Sequence, residues 1–202
     1  MAKLNYYYST MNSGKSTFAL QINYNKQETG LHGLIFTEKD RAGSGVLSSR
    51  IGLSAPAIDV TAEMDIHAEV LDRLMNMERV DYVICDEAQF YTPAQIEQLA
   101  AIVDNLGIDV FAFGILTDFR SVLFPGSARL VELSDSVEAL QITAVCWCGE
   151  PGSKNSRTLR GLMITEGDQV YVGDTQSDVE APSYEVLCRK HYFAKKTRKT
   201  QR

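Results

Sequence analysis

Two kinds of apolar pattern alternate along the first 145 residues. Short, nearly unbroken apolar runs at residues 4–8, Gly33–Thr37, 80–85 and 109–114 are too short for helices. Such runs mark strands buried on both faces, and residues 137–145 read as a further one. Helical spacing fills the gaps between them. Residues 15–29 read as a helix stopping near Gly30, and residues 63–78 carry Met64, Val70, Leu71, Leu74, Met75 and Met77 as a stripe expected to pack inward. Thr92-Pro93-Ala94-Gln95 opens the next helix. Threonine is a good N-cap, proline suits the first turn, and glutamine three residues past the cap completes a capping box. This helix is expected to run to about Asn105, with Gly107 beyond its end. Residues 38–56 are rich in Gly and Ser, lack periodicity, and read as a long loop of functional or disordered character.

Strands that alternate with helices imply right-handed crossovers and a mainly parallel sheet with helices on both faces. The pattern changes at Cys146. Beyond it, short β-type runs such as 161–165 and 169–172 lie among Gly, Ser and Asp, with no amphipathic helix. The expected organisation is an α/β unit over residues 1–145, a small β-type unit over 146–193, and a basic, disordered tail over 194–202. Neither an internal repeat nor a low-complexity segment occurs.

Composition narrows the class. The 202 residues are 45% hydrophobic and 23% charged, ordinary for a globular domain with a small appendage. No apolar run reaches the roughly 20 residues of a membrane helix, and the first residues resemble no secretory signal, so a cytoplasmic protein without a membrane partner is expected. The net charge is −6, yet the last eight residues carry five positives; without them 15 basic residues face 26 acidic ones, −11 for residues 1–194. That balance argues against nucleic acid as a partner, and the tail reads as a solvated segment.

Candidate chemistry begins at Ser9-Thr10-Met11-Asn12-Ser13-Gly14-Lys15-Ser16. The run follows the first strand, opens the first helix, and matches the P-loop pattern G-x-x-x-x-G-K-[ST] except for Ser9 in place of the first Gly. Backbone N–H groups of such a loop cradle phosphates, Lys15 would reach the β- and γ-phosphates, and Ser16 would coordinate Mg²⁺. The run 80–87 is an apolar strand ending in Asp86-Glu87. Alone, that pair reads equally well as an acidic turn before a capped helix. With the P-loop upstream, Asp86 becomes a Walker B carboxylate supporting Mg²⁺, and Glu87 a base at the carboxyl edge of the sheet. Cys85 reads as a small core residue, and His32 and His67 carry no chemistry.

Cys146-Trp147-Cys148 and Cys188-Arg189-Lys190-His191 flank 39 residues of β-like character. Three thiols and an imidazole suit tetrahedral Zn²⁺ with no open position, a structural clamp on an excursion too small to hold its own core. The alternative is free thiols beside a surface histidine.

The runs at 11–17, Asp86-Glu87-Ala88-Gln89-Phe90, Thr117-Asp118-Phe119-Arg120, 143–146 and 188–192 together resemble the type II, zinc-containing thymidine kinases, in order from about residue 3 to residue 193. The resemblance implies transfer of the γ-phosphoryl group of ATP to the 5′-hydroxyl of thymidine or deoxyuridine, for deoxynucleotide salvage. It also implies a homotetramer and feedback inhibition by dTTP. Glu87 would take the hydroxyl proton, and Arg41 would help neutralise the transferring phosphoryl group. ATP would lie on the P-loop residues and on Asp86, Glu87, Ala88 and Gln89. Met11, Phe119, Phe124 and Asn155 would line the nucleoside pocket, and Tyr184 would close over it. Zinc would fix a lasso between Cys148 and Cys188 whose backbone reads the thymine edge. The chain departs from the family by the extra residues 175–182 after Gly173 and by Asp174 at a usual Gly. A P-loop ATPase with a structural zinc site is the enzymatic alternative, and a zinc-stabilised nucleotide-binding module the non-enzymatic one; Glu87 speaks against the latter.

Overall fold

The computed structural model describes residues 1–38, 44–141, 144–170 and 182–200. Its main sheet has six strands: β1 (Leu4–Ser9), β2 (Gly33–Thr37), β5 (Ile58–Asp59), β6 (Tyr82–Asp86), β7 (Asp109–Ile115) and β8 (Ser136–Ala139). Their spatial order is β5-β2-β6-β7-β1-β8, and every neighbouring pair runs parallel. Helices α1 (Lys15–Glu28), α2 (Ile66–Met75), α3 (Pro93–Ala101) and α4 (Pro125–Leu133) make the crossovers.

Both faces of the sheet are covered. Ala19 and Leu20 of α1 pack with Ile35, Tyr82, Ile84 and Phe113 on one side. On the other, Phe36, Val83 and Val110 pack with Val70 of α2, Ile96 and Leu99 of α3 and Leu130 of α4. β6 is buried at all five positions, which is why its sequence is a continuous apolar run rather than an alternating one. α3 begins with the expected capping box: Gln95 N–H donates to Thr92 Oγ1 at 3.2 Å, and Thr92 N–H to Gln95 Oε1 at 3.0 Å. The α-helical part stops at Ala101, and a single π-turn, Ile102–Leu106, carries the chain to Gly107 in left-handed conformation.

Several expectations are corrected. Residues 46–56 are not structureless: β3 (Val46–Ser48) and β4 (Ser54–Pro56) form an antiparallel hairpin with Leu47 fully buried, an anchor that no periodicity announces; residues 39–43 lie outside the described ones. β8 ends at Ala139, because its partner β1 leaves the sheet at Ser9 and Leu140 N–H makes the last bond, to Tyr8. α4 went unanticipated, although Pro125 in its first turn is a start signal. Leu71, Met75 and Met77 are exposed, the two methionines because α2 ends at Met75 and the stripe runs past the packed surface.

The chain beyond Cys146 forms a separate antiparallel sheet, β10-β9-β11, from β9 (Lys154–Leu159), β10 (Leu162–Ile164) and β11 (Ser183–Leu187), followed by the short α5 (Arg189–Phe193). Its buried cluster is Cys146, Leu187, Cys188 and Tyr192. The expected run at 169–172 forms no strand at 169–170, and 171–181 are outside the described residues. Residues 194–200 are not a free tail. Thr197 is fully buried and donates to the Gly161 carbonyl at 2.6 Å, Arg198 N–H donates to Glu185, and Lys199 Nζ donates to the Arg160 carbonyl at 2.7 Å. Charge pattern missed this docking because main-chain and hydroxyl groups make much of it. Among the described residues no helix is long and apolar enough to cross a membrane.

Candidate active site and metal cluster

The phosphate loop leaves β1 at the carboxyl edge of the sheet. Ser9 needs no glycine, because it is still in the strand, in register with Ile115. The left-handed positions fall instead on Asn12 (φ 61°) and Gly14 (φ 78°), residue types that tolerate that conformation. Inside the loop, Ser13 Oγ and Lys15 Nζ donate to the Thr10 carbonyl at 2.7 and 2.9 Å, so the buried ammonium is held over the loop. α1 starts at Lys15 with no side-chain cap among the described residues, leaving its first N–H groups to serve an anion.

β6 delivers the two carboxylates. Ser16 Oγ donates to Asp86 Oδ2 at 2.6 Å, while Asp86 Oδ1 is buried without a hydrogen-bond partner. Burial and the adjacent Glu87 push Asp86 up to about 7, against the Ser16 hydroxyl, the Glu87 N–H and the Lys15 ammonium. A hydroxyl paired with a carboxylate whose second oxygen is orphaned fits the Mg²⁺ that accompanies ATP. Glu87 stands one residue past the strand at φ 51°, a strained position of the kind that gathers at functional sites. Gln89 Nε2 donates to Glu87 Oε2 at 2.5 Å, and Gln89 Oε1 accepts from Ile115 N–H at 3.1 Å. The amide thus ties Glu87 to the end of β7. Gly114 permits the approach: a Cβ there would stand 2.7 Å from Gln89 Oε1. Ala88, beside it, is fully buried.

The aromatic candidates lie past β7. Asp118 accepts the N–H groups of Arg120 and Val122 and pairs with the Arg120 guanidinium at 2.8 Å, which folds the turn presenting Phe119. Phe119 is buried, and its carbonyl accepts from Tyr192 Oη at 2.6 Å. Phe124 packs edge-on to Phe90 at 5.7 Å just before α4. Asn155 spans two segments: its Oδ1 accepts from Met11 N–H at 2.9 Å, and its Nδ2 donates to the Thr117 carbonyl at 3.2 Å. Both ends of its amide are therefore taken by backbone. Tyr184 is partly exposed on β11 and accepts from Arg157 Nε at 3.0 Å. Arg157, which the sequence reading passed over, sits two residues after Asn155 in β9; that alternation was the available signal. Arg41, Gly173 and Asp174 lie outside the described residues, as does the inserted run except Pro182.

The four ligand candidates converge. Cys146, Cys148, Cys188 and His191 place their ligand atoms within 4.8 Å of one another. His191 Nδ1 is 3.5 Å from Cys146 Sγ and 3.4 Å from Cys188 Sγ, and the Cys148 and Cys188 sulfurs are 4.0 Å apart. A tetrahedron with Zn–S near 2.3 Å and Zn–N near 2.0 Å has edges of about 3.5–3.8 Å, so the set can hold zinc. Burial raises the Cys146 thiol, but N–H groups of Cys148 and Cys188 and the His191 side chain outweigh it, bringing it down to about 7. Trp147 stacks on the His191 ring at 4.1 Å between centroids, and its indole N–H donates to the Lys196 carbonyl at 3.0 Å.

A P-loop at the head of a parallel sheet, a Ser–Asp pair, a strained glutamate and a β unit carrying a Cys/His set that can hold a metal define a P-loop nucleotide-binding protein of α/β architecture. The family model described as thymidine kinase matches residues 2–192. A thymidine kinase of Streptomyces coelicolor is 54% identical over 202 residues, covering 100% of this chain and 94% of the relative. One of Streptomyces avermitilis is 52% identical over 98% of the chain and 91% of the relative, and one of Ruegeria pomeroyi 43% identical over 95% and 94%. The chain belongs to the thymidine kinase family.

Proposed function

We propose that this chain phosphorylates the 5′-hydroxyl of thymidine, and of deoxyuridine, with ATP as donor, for deoxynucleotide salvage. The observation that carries the reading is Glu87: a carboxylate in left-handed backbone, gripped by Gln89, beside the Ser16–Asp86 pair. A protein that only bound nucleotide would have no use for a strained, oriented base at that edge.

In the proposed division of labour, residues 9–16 hold the phosphates of ATP through their N–H groups, and Lys15 swings from the Thr10 carbonyl to the β- and γ-oxygens. When bound through Ser16 and Asp86, Mg²⁺ supplies neutralising charge on those oxygens. Ala88 and Gln89 border the nucleotide. Glu87 accepts the 5′-hydroxyl proton as the hydroxyl oxygen bonds to the γ-phosphorus and the bond to the β,γ-bridging oxygen breaks, releasing ADP. Arg41 adds positive charge to the transferring group. Met11, Phe119 and Phe124 line the nucleoside pocket, Tyr184 closes it, and Asn155 holds the pocket edge through Met11 and Thr117. Zinc held by Cys146, Cys148, Cys188 and His191 clamps the base of the β unit. Family resemblance further supports a cytoplasmic homotetramer inhibited by dTTP.

The test is ADP and dTMP formation from Mg-ATP with thymidine, uridine, deoxyguanosine or no nucleoside, for the wild type and Glu87→Gln. Expected is dTMP from thymidine with near silence otherwise, and a fall in kcat of about 10²–10⁴-fold in the variant. Equal ADP release without nucleoside would overturn the reading in favour of an ATPase.

A further inference from the structure

Arg157 is 4% exposed, yet its planar guanidinium reaches three separate segments. Nε donates to Tyr184 Oη at 3.0 Å on β11. The two terminal nitrogens donate to the carbonyls of Asp168 and Gln169 at 2.8 and 3.0 Å, on the segment leaving β10. Its face lies 3.9 Å from the centroid of Phe119, which belongs to the turn after β7, and 5.5 Å from that of Tyr184. Burying a guanidinium is unfavourable unless its donors are met. Here carbonyls, a phenol and an aromatic face meet them. Asn155, two residues earlier on the same face of β9, holds the strand against Met11 and Thr117 and so sets where Arg157 lands.

We infer that Arg157 is a positioning residue for the nucleoside, fixing the pocket wall Phe119 and the closing Tyr184 at a set separation; the inference rests on the proposed nucleoside pocket. The planar fork is essential to this. One rigid group supplies a stacking face and three divergent N–H directions at once, whereas a lysine ammonium carries the same charge with neither the plane nor the fork. With Arg157 in place, wall and lid are ordered before the nucleoside arrives, so its binding carries less of the ordering cost.

The experiment measures KM for thymidine, KM for ATP, kcat and Tm in wild type, Arg157→Lys, Tyr184→Phe, the double variant and Phe119→Leu. In Arg157→Lys the thymidine KM is expected to rise about tenfold or more while the ATP KM stays within about twofold. Tyr184→Phe removes only the hydroxyl that accepts from Nε, and its effect should be smaller when Arg157 is already lysine, the signature of a shared contact. A fall in Tm with both KM values unmoved, or equal rises in both, overturns the inference. If Arg157→Lys does not fold, Tyr184→Phe decides alone: an unchanged thymidine KM overturns it, and a rise of about threefold upholds it. Should Phe119→Leu also leave thymidine KM untouched, the pocket reading itself has failed; should it raise KM while Arg157→Lys does not, only this inference falls.

Discussion

Strands β6 and β11 have the same length and opposite surroundings. All five residues of β6 are buried between two helical layers, while β11 buries only Val186 and Leu187. The sheet around β6 is held by broad apolar clusters on both faces. The β9–β11 unit has a buried cluster of four residues, two of them candidate metal ligands. One region is stabilised by area removed from water, the other by a few directed bonds. The lesson is a division of risk. The candidate phosphate site lies in the region with the broad apolar clusters, and the proposed nucleoside lid in the region that carries the candidate metal ligands.

Metal removal should separate the two regions most sharply. A zinc-selective chelator, with Mg²⁺ kept in excess, is expected to abolish phosphorylation and open residues 146–200 to protease, while far-UV dichroism of the helical layers largely survives. Co-operative loss of all structure on chelation would break the contrast. Next in size, Leu99→Ala hollows the main core where the residue is fully buried and should cost about 2–5 kcal/mol in chemical denaturation, without changing zinc content. The smallest effect is expected from Thr92→Ala, which deletes one half of the capping box and should cost about 1 kcal/mol, with thymidine and ATP KM unmoved.

Legibility followed the same divide. β2 was read to the residue, and β6 and β7 to within two residues at either end, because burial on both faces writes an uninterrupted apolar run. α3 was read from its cap chemistry, which is local. What escaped depended on distant partners: the end of β8 is dictated by β1 leaving the sheet, and the hairpin at β3–β4 is anchored by Leu47, with Ala55 and Ala57 packed beside it on the α1 face of the sheet. The candidate phosphate loop, Asp86, Glu87 and the Cys/His set were visible as spacings, since the chemistry proposed for them demands fixed residue types. Arg157 offered only its alternation with Asn155 in β9, because its contacts lie 11 to 38 residues away in sequence, on segments no periodicity brings together. The docking of Thr197 was hidden for the same reason, behind a basic composition that suggested solvent.

Trp147 is the one tryptophan among the 202 residues, and it lies flat against the imidazole of a candidate metal ligand. Indole emission from this protein therefore has a single origin, at the junction of the clamp and the docked C-terminal segment, where its N–H meets the Lys196 carbonyl. The molecule carries its own optical gauge: light from one ring is expected to register metal binding at the Cys/His set with no label attached, while the candidate active-site edge of the main sheet contributes no indole emission.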